Sequence, residues 1–143
     1  MIPLQDDGFC FACGVKNPMG LRLVFSPRDG GGVSAKFMPL KSHQGYKDII
    51  HGGIITAMLD EAMVKAAIEA NTSAIEADIF PVTAEITVRF REPLMVGEAA
   101  VVEASVEKSG GRLIEAEARV TRLKDGKTIA SSKGKLLKGR TTA

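Results

Sequence analysis

The 143-residue chain predicts an α+β domain in which one long helix packs against a curved antiparallel sheet of five to six strands, in the order ββαββββ. Three observations lead there. Residues 53–70 (GIITAMLDEAMVKAAIEA) contain no proline and are rich in Ala, Met, Leu and Glu, a composition that favours a helix. From Pro81 onward apolar and polar residues alternate with period two, the mark of half-buried strands. The connections between these runs are of hairpin length, which implies a largely antiparallel sheet.

Taken in order, Leu21–Phe25 and Val33–Met38 read as the first two strands, joined by a Gly-rich hairpin loop at Asp29–Gly32. Pro39 to Ile50 is polar and irregular and leads into the helix. In the third strand Val82, Ala84, Ile86, Val88 and Phe90 alternate with Thr83, Glu85, Thr87, Arg89 and Arg91. Pro93 and Gly97 mark a turn, Ala100, Val102, Ala104 and Val106 alternate again, and Ser109–Gly111 forms a hairpin connection. Strands over roughly 112–123 and 127–138 follow, separated by the Asp125–Gly126 turn. A helix of about 18 residues spans ~27 Å and a ten-residue strand ~33 Å, so helix and strands match in length. A lone helix flanked by strands that each offer one apolar face is most simply buried by a sheet that curls around it.

With 45% hydrophobic and 25% charged residues, the chain reads as a single globular domain over 1–143 that requires no metal or disulfide staple. Its net charge of +2 lacks the strong positive field of a dedicated nucleic-acid binder. No apolar run approaches the ~18 residues of a membrane span, and the N-terminus carries Asp6 and Asp7 where a secretory signal has basic and then apolar residues. The expectation is a cytoplasmic protein that binds neither nucleic acid nor membrane. Cys10 and Cys13 supply half of a four-ligand metal set, and the turn residues Gly14, Asn17, Pro18 and Gly20 follow where a redox CxxC would open a helix. The pair is therefore expected to serve packing or to be incidental, with no metal.

The helix carries an unusual carboxylate. At about 100° per residue Glu61, Lys65 and Glu69 fall on one stripe, read as a solvated face with opposite charges at i,i+4. Asp60 instead falls among Thr56, Met63, Val64 and Ala67, on the apolar side. A carboxylate there needs a partner from another segment or from a partner subunit, or it stands at a site of chemistry. Immediately upstream, His51-Gly52-Gly53 precedes the helix, where unpaired N–H groups and the positive end of the helix dipole could receive an oxyanion.

The string HGGIITAMLDEAM (51–63), with an acidic residue nine positions after the His, resembles the hotdog-fold thioesterases. More closely, it resembles the phenylacetyl-CoA thioesterase-like branch of the 4-hydroxybenzoyl-CoA thioesterase superfamily. The segments CFACGVKNPMGLRLVF (10–25), HQGYKDII (43–50) and PVTAEITVRFREPLMVGE (81–98) run in the same order, so the resemblance covers nearly the whole chain. It implies a hotdog fold, a helix wrapped by its sheet, and hydrolysis of an acyl-CoA thioester. Asp60 would be the catalytic carboxylate, as general base or nucleophile. Gly52 would polarise the thioester carbonyl with its main-chain N–H, Gly53 would stand beside it, and His51 would orient the loop or the carbonyl. Thr83 matches a Ser/Thr position whose hydroxyl can hold the attacking water.

Several relatives carry Asn six residues before the His, where this chain has Gly45, preceded by Gln44 as a substitute. His43 matches no family role and is expected on a surface loop. Lys108, Arg112 and Lys133 fall where related enzymes place cations for the CoA phosphates, with Arg89 and Arg91 as competitors. The resemblance further implies a homodimer, assembled as a dimer of dimers, whose active sites use residues of both subunits, with coenzyme A as part of the substrate and no separate cofactor. Acyl carrier protein could take the place of CoA. Two other readings stand beside hydrolysis: a hotdog acyl-thioester hydratase or dehydratase, and a non-catalytic acyl-CoA sensor.

Overall fold

The computed structural model describes residues 6–71 and 79–140, so the ends of the domain read over 1–143 lie outside the described residues. The elements are β1 (Ser26–Pro27), β2 (Val33–Phe37), a short 3-10 turn (Lys41–His43), α1 (Gly52–Ala70), β3 (Ile79–Phe90), β4 (Ala100–Gly110), β5 (Leu113–Arg122) and β6 (Thr128–Arg140). All strands belong to one antiparallel sheet of order β1-β2-β4-β5-β6-β3, and α1 packs against β2 through β6. This is the predicted ββαββββ order and the hotdog arrangement.

The first predicted strand is the exception. Leu21 and Leu23 are buried as the apolar pattern requires, but only Ser26–Pro27 pairs with β2. Arg22 sits at φ +52°, outside the extended region, and the Leu21 and Leu23 N–H groups donate to the carbonyls of Phe11 and Ala12 instead of to a strand. The N-terminal segment thus folds back on itself and covers the helix rather than extending the sheet.

Two features let the sheet wrap the helix. The ladders carry irregularities between Thr83 and Glu85, between Val106 and Lys108, and between Val120 and Thr121, and each such bulge bends its strand and increases its twist. The inner face of the central strands is also carpeted with small residues. Ala104 pairs Ala118, which pairs Ser132, and Ala116 pairs Gly134. Met58, Leu59 and Met63 of α1 are fully buried above them, and the Ser132 hydroxyl lies 3.6 Å from the Met63 sulfur. A Cβ on Gly134 would stand 2.7 Å from the Met63 methyl, so any larger residue there would require the end of the Met63 side chain to move.

The helix is covered on all sides: no residue from Ile54 to Ile68 is fully exposed. The expected wet stripe is therefore only partly wet. The Lys65–Glu61 pair forms at 3.9 Å, but the Glu61 side chain retains 14% exposure because the N-terminal segment lies over it. None of the described helices is long and apolar enough to cross a membrane.

Gly32 closes the β1–β2 hairpin at φ +85°, and a Cβ there would collide with the Ala104 carbonyl oxygen. Gly32→Ala is expected to lower stability by about 2 kcal/mol or more, read as a lower urea midpoint at unchanged m-value, because the strained φ and the collision add.

Candidate active site

Asp60 has the partner that its position on the apolar side demanded. The Thr83 hydroxyl donates to Asp60 Oδ1 at 2.7 Å, and both residues are half-buried. Strict alternation along β3 would have sent Thr83 outward with Glu85, Thr87 and Arg89, which line the outer face of the sheet. The bulge at Thr83/Glu85 inserts one residue, reverses the facing of the strand's first half and turns Thr83 toward the helix. The same reversal leaves Val82 46% exposed where the alternation had placed it in the core.

At the helix N-terminus, His51 is the N-cap. Its Nδ1 accepts the Gly53 N–H at 2.8 Å, its backbone N–H donates to the His43 carbonyl at 2.9 Å, and its carbonyl accepts from Ile54 and Ile55. A neutral ring in this role carries its proton on Nε2. Because the Gly53 amide is held by His51, it does not stand free beside Gly52 as the resemblance implied. The Gly52 N–H meets no acceptor among the described residues and is the amide open to a ligand oxygen.

Gly52 forms part of the wall of an apolar cavity of about 700 Å³ whose lining includes Tyr46, Ile49, Ile55, Phe90 and Leu94. Gly52 lies beneath Phe90: a Cβ on the glycine would be 3.4 Å from the Phe90 ring. The loop behind the cavity is held by Gln44, whose Oε1 accepts the Asp48 N–H at 2.9 Å, and by the Gly45 N–H, which donates to Ile49. The His51 ring packs closely on Gly45, 3.3 Å from where a Cβ would be. On the far side, buried Arg122 ties the cavity wall together, bonding Asp125, Glu92 and the Pro93 carbonyl. The guanidinium in turn holds the Asp125 carboxyl down at about 2. Neither Phe90 nor Arg122 stood out in the sequence, since each continues an ordinary strand pattern.

The expected phosphate-binding cations do not gather here within one chain. Lys108 and Arg112 are at the opposite end of the helix, where Ser109 Oγ lies 3.5 Å from the C-cap residue Asn71. Lys133 is on the outer sheet face, in a groove of about 820 Å³, across from Glu117. There a hydrogen bond with Glu107, burial and the charge of Glu107 raise the Glu117 carboxyl above its usual range. Arg91, named as a competitor, is the cation that lines the apolar cavity beside His51 and Gly52.

His43 lies half-buried in the short 3-10 turn before the helix. Its Nδ1 accepts the Leu40 N–H at 3.0 Å and its ring stands 5.1 Å from that of Phe37, while its carbonyl anchors His51. Burial lowers its pKa below the usual 6.5. The unfolded chain therefore takes up the proton first, and the stability present above about pH 6.5 is lost as pH falls toward the folded value. Thermal midpoints are expected to drop between neutral and mildly acidic pH, and the drop should shrink in His43→Asn, whose amide oxygen can still accept from Leu40.

The family model of the thioesterase superfamily matches residues 47–129, which span the HGG segment, Asp60 and Thr83. Among solved structures, zebrafish thioesterase superfamily member 2 superimposes with a TM-score of 0.71 at 20% identity, covering 82% of this chain and 80% of that one. The PaaI protein of the phenylacetic acid degradation operon of E. coli gives 0.69 at 19% identity, covering 82% and 83%. A hypothetical thioesterase of Streptococcus pneumoniae, solved with coenzyme A, gives 0.67 at 13% identity, covering 85% and 91%. At these identities the structural likeness shows the fold. A 39-residue stretch is 49% identical to an uncharacterized Schizosaccharomyces pombe protein, covering 27% of this chain and only 22% of that protein.

Proposed function

The chain belongs to the thioesterase superfamily, and we propose that it hydrolyses the thioester of a small or medium acyl-CoA, aliphatic or arylacetyl. The observation that carries this reading is Asp60 held by Thr83 at 2.7 Å on the helix whose N-terminus leaves the Gly52 amide open. The carboxylate acts as general base toward water or as nucleophile on the thioester carbon, and Thr83 fixes its orientation and can share the attacking water. The Gly52 N–H and the helix dipole receive the charge that develops on the carbonyl oxygen. The apolar cavity beside Gly52 takes the acyl group, and its volume of about 700 Å³ suits a short or medium chain or one aromatic ring. Coenzyme A enters only as part of the substrate.

One chain alone cannot assemble this chemistry. Gly52 and Asp60 are eight residues apart on a straight helix, about 12 Å along its axis, whereas base and oxyanion donor must each come within about 3 Å of one thioester. A site that joins Asp60 of one protomer to Gly52 of another resolves the mismatch. The 12-residue strand β3 supports it, since among the described residues β3 ends the sheet with its outer edge unpaired and with Val82 and Phe90 exposed. Two copies joined antiparallel along β3 would set their helices side by side in opposite directions. The same pairing could bring Lys108 and Arg112, at the helix C-terminal end of one protomer, toward the cavity of the other as phosphate ligands.

Hydration of an unsaturated acyl-CoA needs a free histidine base. His51 Nδ1 is engaged with Gly53, so nothing at the site favours that reading. The test is free-thiol release from a panel of acyl-CoA esters, with crotonyl-CoA hydration run in parallel. Turnover of at least one ester without hydration is expected. Binding of esters without any thiol release would replace hydrolysis by sensing.

A further inference from the structure

The hydrolytic reading leaves Cys10 and Cys13 without a task, and the fold gives them a third companion. The two sulfurs and a carboxylate oxygen of Glu61 all lie within 4.8 Å of one another, and all three residues are half-buried. Sequence spacing could not show this, because Glu61 comes from the middle of α1, far along the chain from the cysteine turn. The Glu61 carboxylate, little exposed, faces the Lys65 ammonium at 3.9 Å, the Cys10 thiol at 3.9 Å and the Cys13 thiol. Burial first, then the Glu61 hydrogen bond and charge, push the Cys13 thiol up to about 12.

We propose that Cys10, Cys13 and Glu61 form a binding site for a thiophilic divalent cation of the zinc class, clasping the N-terminal segment to the catalytic helix. Two thiolates and one carboxylate supply three corners of a tetrahedron, with water at the fourth, and such a donor set selects zinc over magnesium or calcium. Binding releases the two thiol protons. The charges also balance: three anionic ligands around a divalent ion leave one negative charge, and Lys65 stands beside Glu61 to meet it.

The turn is already built for this. The Gly14 N–H donates to the Cys10 carbonyl at 2.8 Å, and a Cβ on Gly14 would come within 2.5 Å of the Cys10 nitrogen and the Gly8 oxygen, so only glycine closes it. Leu21 and Leu23 anchor the rest of the segment in the core. Glu61 and Asp60 point about 100° apart on the helix, so the cation would act on the stability and placement of the segment, not on the thioester.

The experiment uses the full chain, reduced with a phosphine, stripped with chelator and desalted. With zinc chloride, about one equivalent is expected to survive gel filtration, the thermal midpoint to rise by several degrees, and both thiols to be protected from alkylation. With cobalt(II) in place of zinc, thiolate-to-cobalt charge-transfer bands and the visible bands of a tetrahedral ion are expected. The double variant Cys10→Ser, Cys13→Ser should lose all of these. Glu61→Gln should keep the charge-transfer bands but bind about tenfold or more weakly. The proposal is overturned if zinc neither protects the wild-type thiols nor moves the midpoint, a readout that needs no variant. It is equally overturned if magnesium does as much, if Glu61→Gln binds like wild type, or if a Cys10–Cys13 disulfide forms in place of metal uptake.

Discussion

Asp60→Asn is expected to lower kcat for acyl-CoA hydrolysis by at least about a hundredfold while leaving the thermal midpoint close to that of wild type. The carboxamide has the size and shape of the carboxylate, and its oxygen can still accept the Thr83 hydroxyl that now donates to Oδ1 at 2.7 Å. What disappears is the negative charge and with it the capacity to take a proton from water or attack the carbonyl, a contribution of ~10²–10⁴ in rate for a positioned base. Thr83→Val separates orientation from chemistry. It leaves the charge in place and removes only the hydroxyl that steers it, so a smaller loss is expected, confined to kcat. Full activity in Asp60→Asn would remove Asp60 from the mechanism. A large loss in Thr83→Val with none in Asp60→Asn would move the chemistry to the threonine.

That pair also shows what was legible in the sequence. Asp60 stood out because a helix has a fixed period, so one acidic residue out of phase with Glu61, Lys65 and Glu69 is visible without any knowledge of its neighbours. Thr83 was named through the family resemblance, and local pattern argued against it. Period two placed it on the wet face, and only the bulge, whose position depends on pairing with Leu136 and Lys135 of β6, turned it inward. The first strand failed for a related reason. Leu21 and Leu23 are apolar and buried as alternation demands, yet the backbone at Arg22 leaves the extended region and the N–H groups bond to Phe11 and Ala12. Burial follows from side-chain chemistry, but pairing follows from which carbonyl is within reach. The Glu61 cluster escaped notice on the same ground. A segment that folds over the helix converts a residue of the apparently solvated stripe into a half-buried neighbour of two thiols, and no periodicity within the helix records what lies on top of it.

Gly52→Pro is expected to lower kcat by ~10²–10³, the loss of about 2.7–4 kcal/mol that follows removal of one oxyanion donor, without unfolding the helix. Gly52 is the first helical residue, a position where proline is favoured because its missing N–H has no helical acceptor to lose. His51, at φ −59° and ψ 134°, already holds the conformation that a residue before proline adopts. The Gly53 N–H remains to be capped by His51. Gly52→Ala controls for bulk, since its Cβ would rest at an ordinary 3.4 Å from Phe90 and its N–H is kept. It should stay within a few-fold of wild type if the amide is what matters. The proline variant also decides whether the site is shared. In a mixed dimer of Gly52→Pro with Asp60→Asn, one site inherits both defects and the other inherits neither. Random reassortment should then restore about a quarter of wild-type activity from two nearly inactive parents. If Asp60 instead worked with Gly52 of its own chain, every site in the mixture would carry a defect, and no activity would return however long the subunits were allowed to exchange.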